Sequence, residues 1–487
     1  MHIHMIPNRG GRPTILLRES YREASKVKKR TLANLSSLSQ KQVETIRRAL
    51  NGEELVPIDA LFSVTSSHQH GHVQAVLKAM KGLRFKELIA TQHTRERDLV
   101  VAMVIARILE PESKLATTRW WHTTTLPDEL EVADATEDDL YQAMDWLVKR
   151  QPRIEKKLAS RHLSEGGLVL YDLSSSYFEG EACPLAMRGY SRDKKKGKLQ
   201  VNYGLLTDQR GCPVAISVFP GNSGDPKTLL GQVTKVKEQF NIERMVIVGD
   251  RGMISQKQID NLRVLKGKRV DWITALRSGQ ISKLMQDGTI NMSLFDERDL
   301  IEFTHPDFPG ERLMVCRNPL MAEKRARTRQ SLLAATMKEL GKVVGMVKHG
   351  RLKDKDKIGV RVGKVVNKYK VGKHFQLTIN DGEFQYQLLP EQVAREAEMD
   401  GLYVIRTSLS TERMSGEEAV RSYKQLANVE RAFRSLKGVD LKVRPIYHHL
   451  EDRVRAHIFL CMLAYYVEWH MKEAWRELLF SDEDQEA

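Results

Sequence analysis

Three carboxylates stand in contexts that point to chemistry: Asp172 in GLVLYDLSSSYF, Asp250 in RMVIVGDRG and Glu430 in YKQLANVERAFRSLK. The first two lie in or at the end of short apolar, β-branched runs that predict strands, and the third falls on a helix much later in the chain. Acids so distant in sequence meet only where a sheet and a helix bring them together, and such an all-oxygen set suits a hard divalent cation such as Mg²⁺. The chemistry to expect is phosphoryl transfer on nucleic acid. Each acid also has a plainer reading: Asp172 and Asp250 as turn caps at strand ends, and Glu430 as the partner of Arg434 at i+4. Their joint placement, on a first strand, after a fourth strand and on a late core helix, favours the metal reading.

The last of these elements carries more than one polar group. Tyr423, Glu430 and Lys437 are spaced by seven and project from nearly one face, together with Val420, Leu426, Ala427 and Phe433. Glu430 therefore interrupts a face that should pack on the sheet, where an unpaired carboxylate is costly. Residues 415–438 are expected to form one helix, with Ser415 and Glu418 as a capping box and Gly438 at C′.

From Gly166 the periodicity predicts three consecutive strands (GLVLYD, LQVNYGLLTD, CPVAISVFPG), then helix, strand, helix, strand. That order matches an α/β fold with an RNase H-like mixed-sheet catalytic core over 161–280. Asp225 and Pro226 read as N-cap and first helical residue, so Asp225 is assigned a structural role. The loop between the first two strands, MRGYSRDKKKGK, carries Arg188, Arg192, Lys194, Lys195, Lys196 and Lys198, which are expected to grip a DNA backbone without reading sequence; the alternative is a solvated hairpin loop.

Alternation stops over 281–400, where a basic, β-rich insertion is expected to interrupt the core. Its clearest element is a hairpin in HFQLTINDGEFQYQLL, turning at Asp381-Gly382. Residues 321–373 hold 16 lysines and arginines against 4 aspartates and glutamates, a surplus of 12 out of the net +15, and a solvated face would mix signs. Residues 401–475 return to the core, and 476–487 form an acidic tail.

Residues 1–160 read as a mainly helical N-terminal region from apolar residues at three-to-four spacing in SQKQVETIRRALNGE, VQAVLKAMKGL, RDLVVAMVIARILEPESKLATTRWW and EDDLYQAMDWLVKRQ. Arg18, Arg22, Lys26, Lys28, Lys29 and Arg30 are the footprint of DNA-end binding or of a solvated basic face. HQHGH at 68–72 has no accompanying carboxylate or cysteine pattern and reads as a loop or helix start.

Composition bounds these readings. At 487 residues and 41% hydrophobic the chain is globular and long enough for several domains, and the net charge of +15 favours a polyanionic partner. The longest apolar stretch, Leu99 to Leu109, falls short of the roughly 20 residues a membrane span needs, so no membrane partner is expected. Cys183, Cys212, Cys316 and Cys461 show no paired spacing, and the N-terminus lacks an apolar leader; the expectation is a reducing, cytoplasmic compartment.

Together these pieces resemble the DDE transposases of bacterial insertion sequences, specifically the group with a Tyr-Arg-Glu-Lys signature on the third-acid helix and a β-rich insertion in an RNase H-like core. The resemblance spans about 60–475 and is carried by YDLSSSYFEG, GYSRDKKKGKLQVNYGLLTDQRGCPVAISVFPGNSGD, VIVGDRGM, and Tyr423, Glu430 and Lys437 at the family's spacing. It implies that Asp172, Asp250 and Glu430 hold two Mg²⁺ or Mn²⁺ ions per active site for in-line displacement at a phosphodiester. Tyr423 and Lys437 would contact phosphates at the cleaved end. Leu426 stands where the signature has Arg, leaving Lys424, Arg431 or Arg434 as substitutes. The insertion carries no tryptophan between Ser282 and Asp400, so Tyr369, Phe375 and Tyr386 are its candidates for stacking a base. The implied partners are the element's inverted-repeat ends and target DNA, bound by a homodimer in a synaptic complex, in a bacterial, nucleoid-associated setting. The rivals are an RNase H-like nuclease without strand transfer and a transposase-derived DNA binder that has lost catalysis.

Overall fold

The computed structural model describes residues 1–57, 64–180, 182–265, 270–290 and 299–478. Two compact units emerge, Met1–Ser67 and His68–Ala487. In the first, β1 (His2–Ile6), β2 (Thr14–Glu23) and β3 (Lys26–Asn34) form an antiparallel sheet in that order, followed by the Gln40–Leu50 helix with its Ser39/Gln42 capping box. The opening of the chain is thus strand where helix was expected. Its cations mask the two-residue alternation: all nine residues of β3 are exposed, and lysines along an edge strand discourage pairing with a further strand.

In the second unit the helical stretch is present: Gly71–Gly82, Phe85–Ile89, Arg95–Leu109, Lys114–Trp120 and Glu137–His162. It is not, however, a separate domain ending near 160. Every residue from Arg97 to Arg107 is buried, and a helix apolar on all sides must lie between layers. Arg95–Leu109 packs on Glu137–His162 and on the Glu451–Ala474 helix, both of which cover β6 of the central sheet, so one core runs from Val73 to Trp469.

That sheet has eight strands in the order β6-β5-β4-β7-β8-β13-β10-β9. The first three, β4 (Leu168–Tyr177), β5 (Gln200–Thr207) and β6 (Pro213–Pro220), pair antiparallel; β7 (Met245–Val248) and β8 (Val270–Ala275) add parallel to β4. This is the RNase H-like arrangement. β13 (Leu402–Thr407), β10 (Arg312–Arg317) and β9 (Leu300–Phe303) extend it antiparallel. The helix after β6 starts at Asp225, with Gly224 as its N-cap, one residue earlier than expected.

The insertion contains the expected hairpin, β11 (Phe375–Asn380) with β12 (Glu383–Leu388), but it is mostly helix and not β-rich: Pro319–Lys348, Lys355–Tyr369 and Pro390–Glu398 surround the hairpin, and β9 and β10 belong to the central sheet. Leu333, Leu340, Val343, Ile358, Phe375 and Phe384 form its own core. Tyr369 and Tyr386 pack against that core, and Phe375 is buried edge-on to Tyr386, so the three aromatic stacking candidates are structural. The insertion leaves from β10 and returns at β13, two neighbouring strands paired Arg317 to Leu402. Its ends are joined by Asn318 N–H donating to Gly401 O at 2.9 Å. Gly401 has φ +77°, and a Cβ there would sit 2.4 Å from Asn318 O, so glycine is required.

The third-acid segment is two helices, Gly416–Lys424 and Leu426–Arg434, followed by a π turn over Ser435–Val439. The Ser415/Glu418 capping box forms. Gly438 lies inside the π turn without a positive φ, and is therefore not a C′ residue. The acidic tail falls, from 479 onward, outside the described residues.

Candidate active site

β4 and β7 are neighbouring parallel strands with Leu170 opposite Val248. Asp172 lies within β4, two residues beyond Leu170, and Asp250 lies just past the end of β7, two residues beyond Val248, so neighbouring strands carry both acids toward the same end of the sheet. Asp172 Oδ1 accepts the Leu173 N–H at 2.8 Å. Asp250 Oδ1 accepts the N–H groups of Gly252 at 3.0 Å and Met253 at 2.6 Å, fixing the turn after β7. The turn-cap reading is therefore correct for one oxygen of Asp250, whereas Asp172 lies inside β4 and caps no turn. Neither Oδ2 has a hydrogen-bond partner among the described residues.

Burial, reinforced by the negative charge of Asp250, pushes the Asp172 carboxyl up to about 7 despite the Leu173 amide and nearby Arg192. Such a carboxylate is short of positive charge.

The Leu426–Arg434 helix buries Val429, Ala432 and Phe433, the last edge-on to Tyr203 of β5 at 5.8 Å, and lies along β4. Glu430 emerges beside that stripe, exposed, with no ion pair to Arg434 or hydrogen bond to any described residue. Tyr423, half-buried one helix earlier, has its phenol pushed up to about 12, first by burial and then by Asp250, Glu430 and Asp172. One phenol thus senses all three acids. A cavity of about 580 Å³ is lined by Asp250, Glu430, Tyr423 and Arg251 on the core side and by Arg325, Lys373 and Glu396 of the insertion. The three acids are more open than a closed single-ion cage: none of them joins a set of three ligand atoms all within 4.8 Å. Two free carboxylate oxygens, with a third acid on the same cavity wall as Asp250, fit oxygen-seeking dications.

Lys437 behaves differently from its expected role. Its Nζ is 2.9 Å from Asp193 Oδ1, Arg444 shares that oxygen, and Asp193 Oδ2 accepts the Tyr177 N–H at 3.0 Å. The Asp193 side chain is 1% exposed and Lys437 only 12%. Lys437 thus fastens the basic loop to the third-acid helix. Within that loop Arg192 pairs with Asp225 at 2.5 Å, Lys198 with Glu179 at 2.7 Å, and Lys195 lies over the Tyr177 ring. The side chains of Arg188, Lys194 and Lys196 are exposed and unpaired, as is Arg434.

Sequence reasoning missed Asp193, which is 244 residues from Lys437, and the cations Arg251, Arg325 and Lys373. It also missed a second, strongly basic cavity of about 710 Å³, lined by Arg107, Lys114, Lys442, Arg444, Arg453 and His457 with Glu112 as the only acid in its wall. Lys114 is buried, and desolvation and Arg107 lower its ammonium to about 7. The only advance signal was charge inside an otherwise apolar helical stretch.

A transposase DDE domain profile matches residues 174–467, and an IS1634 family transposase N-terminal domain profile matches 4–56. The chain belongs to the DDE transposases of insertion sequences. The larger match encloses Asp250, Tyr423, Glu430 and Lys437 and begins just past Asp172. Among solved structures, this transposase is similar to the piggyBac transposase in a synaptic complex with hairpin DNA, with a TM-score of 0.39 and 10% identity over 82% of this chain and 73% of that one. It is also similar to the Mos1 transposase in a paired-end complex with the left transposon end, with a TM-score of 0.17 and 10% identity over 51% and 76%. No protein of curated function matches it. Family membership makes the transposase a DNA-cleaving and strand-transferring enzyme of a kind that uses divalent metal ions. No described helix is long and apolar enough to cross a membrane.

Proposed function

We propose that this transposase binds the inverted-repeat ends of its element, cuts them and joins the resulting 3′ hydroxyls to target DNA, with Asp172, Asp250 and Glu430 holding two Mg²⁺ or Mn²⁺ ions. The observation that carries this reading is that Asp172 and Asp250, carried by the neighbouring strands β4 and β7, each keep one oxygen on backbone amides and one free, while an unpaired Glu430 lines the same cavity as Asp250. When bound, the two ions supply activation of the attacking hydroxyl and stabilisation of the leaving oxygen.

The chain's own residues do the rest. Asp172 and Asp250 are fixed by the sheet and its following turn, so the ion-binding oxygens need no rearrangement, and Glu430 closes the set from the helix. Tyr423, whose phenol stays protonated across the physiological range, donates to a phosphate oxygen. Arg251, Arg325 and Lys373 offset phosphate charge from both walls of the cavity. Arg188, Lys194, Lys195 and Lys196 hold the backbone outside it. The β2–β3 ribbon, with Arg22, Lys26 and Lys29 exposed along it, has a shape that a major groove admits, and serves end recognition. Two chains hold two ends in one synaptic complex.

The test is Mg²⁺- or Mn²⁺-dependent cleavage and joining of labelled DNA carrying the flanking ends, comparing native protein with Asp250→Asn. End-specific cutting with joined products, both lost in the variant, supports the reading. Cutting without joining makes the protein a nuclease, and end binding without cutting by either protein makes it a silent binder.

A further inference from the structure

Away from the three acids, a set of a different chemical character converges. Cys212 Sγ, in the turn just before β6, lies 3.9 Å from His162 Nε2 and 3.8 Å from His470 Nε2. Among the described residues this is the one group of three or more histidine, cysteine or carboxylate ligand atoms that all lie within 4.8 Å of one another. We propose that His162, Cys212 and His470 form a second metal site, selective for a borderline-soft divalent transition ion of the zinc type, that fastens three segments of the core together.

The donors decide the class of ion. One thiolate and two imidazoles suit zinc and its neighbours and not Mg²⁺ or Ca²⁺, which prefer oxygen. A tetrahedral ion with its usual bond lengths sets sulfur and nitrogen about 3.6 Å apart, so closing on the ion requires only a small contraction. The plainer reading is a hydrogen-bonded core cluster, in which the thiol donates to His470 and the Tyr466 hydroxyl to His162; the metal reading rests on both Nε2 atoms converging on one sulfur. Binding releases the Cys212 proton to solvent and leaves a thiolate on the ion. Asp208 and Glu473 offset Arg161 and Arg210 around the site. Three protein ligands would leave one position for a water, and the Tyr466 hydroxyl, 3.1 Å from His162 Nε2, would give up that contact when the nitrogen ligates.

The fastened segments are the last residue of the Glu137–His162 helix, the β5–β6 turn and the Glu451–Ala474 helix. Gly211, next to Cys212 in that turn, has φ +87° and lies so close to the third-acid helix that a Cβ on it would stand 2.7 Å from Asn428 Cβ. Asn428 precedes Glu430 by two residues. Anchoring the turn therefore sets the seat of the Glu430 helix.

The experiment uses the full chain carrying Asp172→Asn, Asp250→Asn and Glu430→Gln, so that the oxygen site does not titrate, stripped with a chelator and titrated with Co²⁺ and with Zn²⁺. A thiolate-to-cobalt charge-transfer band at roughly one equivalent, displaced by Zn²⁺ and absent in the same chain with Cys212→Ser, is the expected result, together with a Zn²⁺-dependent rise in Tm. Absence of the band, or zinc retention equal with and without Cys212→Ser, overturns the proposal. Should the serine variant not fold, zinc-edge X-ray absorption on the zinc-loaded parent chain gives the same decision: one sulfur and two imidazole nitrogens support the site, and a shell of oxygen and nitrogen alone overturns it.

Discussion

Two groups of charge flank β4, and they are built on opposite principles. Asp193 is closed: Lys437, Arg444 and the Tyr177 amide use both of its oxygens, and its side chain is almost wholly buried. Asp172, Asp250 and Glu430 are open: backbone amides take one oxygen each from the two aspartates, no cation among the described residues pairs with any of the three, and burial raises Asp172. The closed group has spent its charge on holding a loop to a helix. The open group keeps its charge unspent, as the proposed ion site requires. A lysine seven residues from the proposed third acid can therefore belong to the scaffold, and which group a residue joins depends on counter-charges that are remote in sequence.

The sharpest way to break this contrast is to neutralise the open group. Glu430→Gln should lower end cleavage by ~10³-fold or more while DNA binding in a mobility-shift assay persists; cleavage near the native rate would place Glu430 outside the reaction. The closed group should answer in stability. Asp193→Ala leaves Lys437 and Arg444 without their anion, and urea denaturation should show a loss of roughly 3 kcal/mol, where an unchanged midpoint would remove the fastening role.

A smaller effect has a definite sign. The Asp172 carboxyl is raised to about 7 in the folded chain against an ordinary value near 4, so the native state holds that proton more tightly than the unfolded state. Stability associated with it is complete in acid and is lost as pH rises through about 7. With chelator present, Asp172→Asn should therefore gain roughly 1–3 kcal/mol over native protein at pH 8 and much less at pH 4, measured by urea denaturation at both. Added Mg²⁺ should narrow the gap by stabilising the native protein alone. The least effect is in DNA affinity: Arg188→Gln, Lys194→Gln and Lys196→Gln should each reduce the salt slope of binding by up to about 1, whereas Lys437→Met should leave the slope alone and lower Tm.

What could be read from the chain divides along similar lines. The acids were legible because short β-branched runs ending in aspartate, and a capped amphipathic helix, are local patterns; so was the 375–388 hairpin, announced by Asp381-Gly382. The role of Lys437 was hidden because its partner is on a loop 244 residues away. β2 and β3 were hidden because lysines and arginines occupy positions where apolar alternation would mark a strand. The depth of Arg95–Leu109 was hidden because an all-round apolar helix shows length but not which layer covers it, and that cover, Glu451–Ala474, comes from the far end of the chain. The insertion's helices were under-read because its cations, not its apolar stripe, dominated the pattern.

The strand pair that bears the insertion has a consequence for how such enzymes diversify. β10 and β13 meet at Arg317 and Leu402, and Asn318 bonds Gly401, so the 319–400 segment hangs from the sheet as a cassette clipped at a single hairpin-like base. Exchanging the cassette would change the wall that Arg325, Lys373 and Glu396 give to the cavity beside Asp250 and Glu430, without altering the sequence of any strand beneath the acids. A mobile element can thereby acquire a new grip on DNA without relearning how to fold its catalytic sheet.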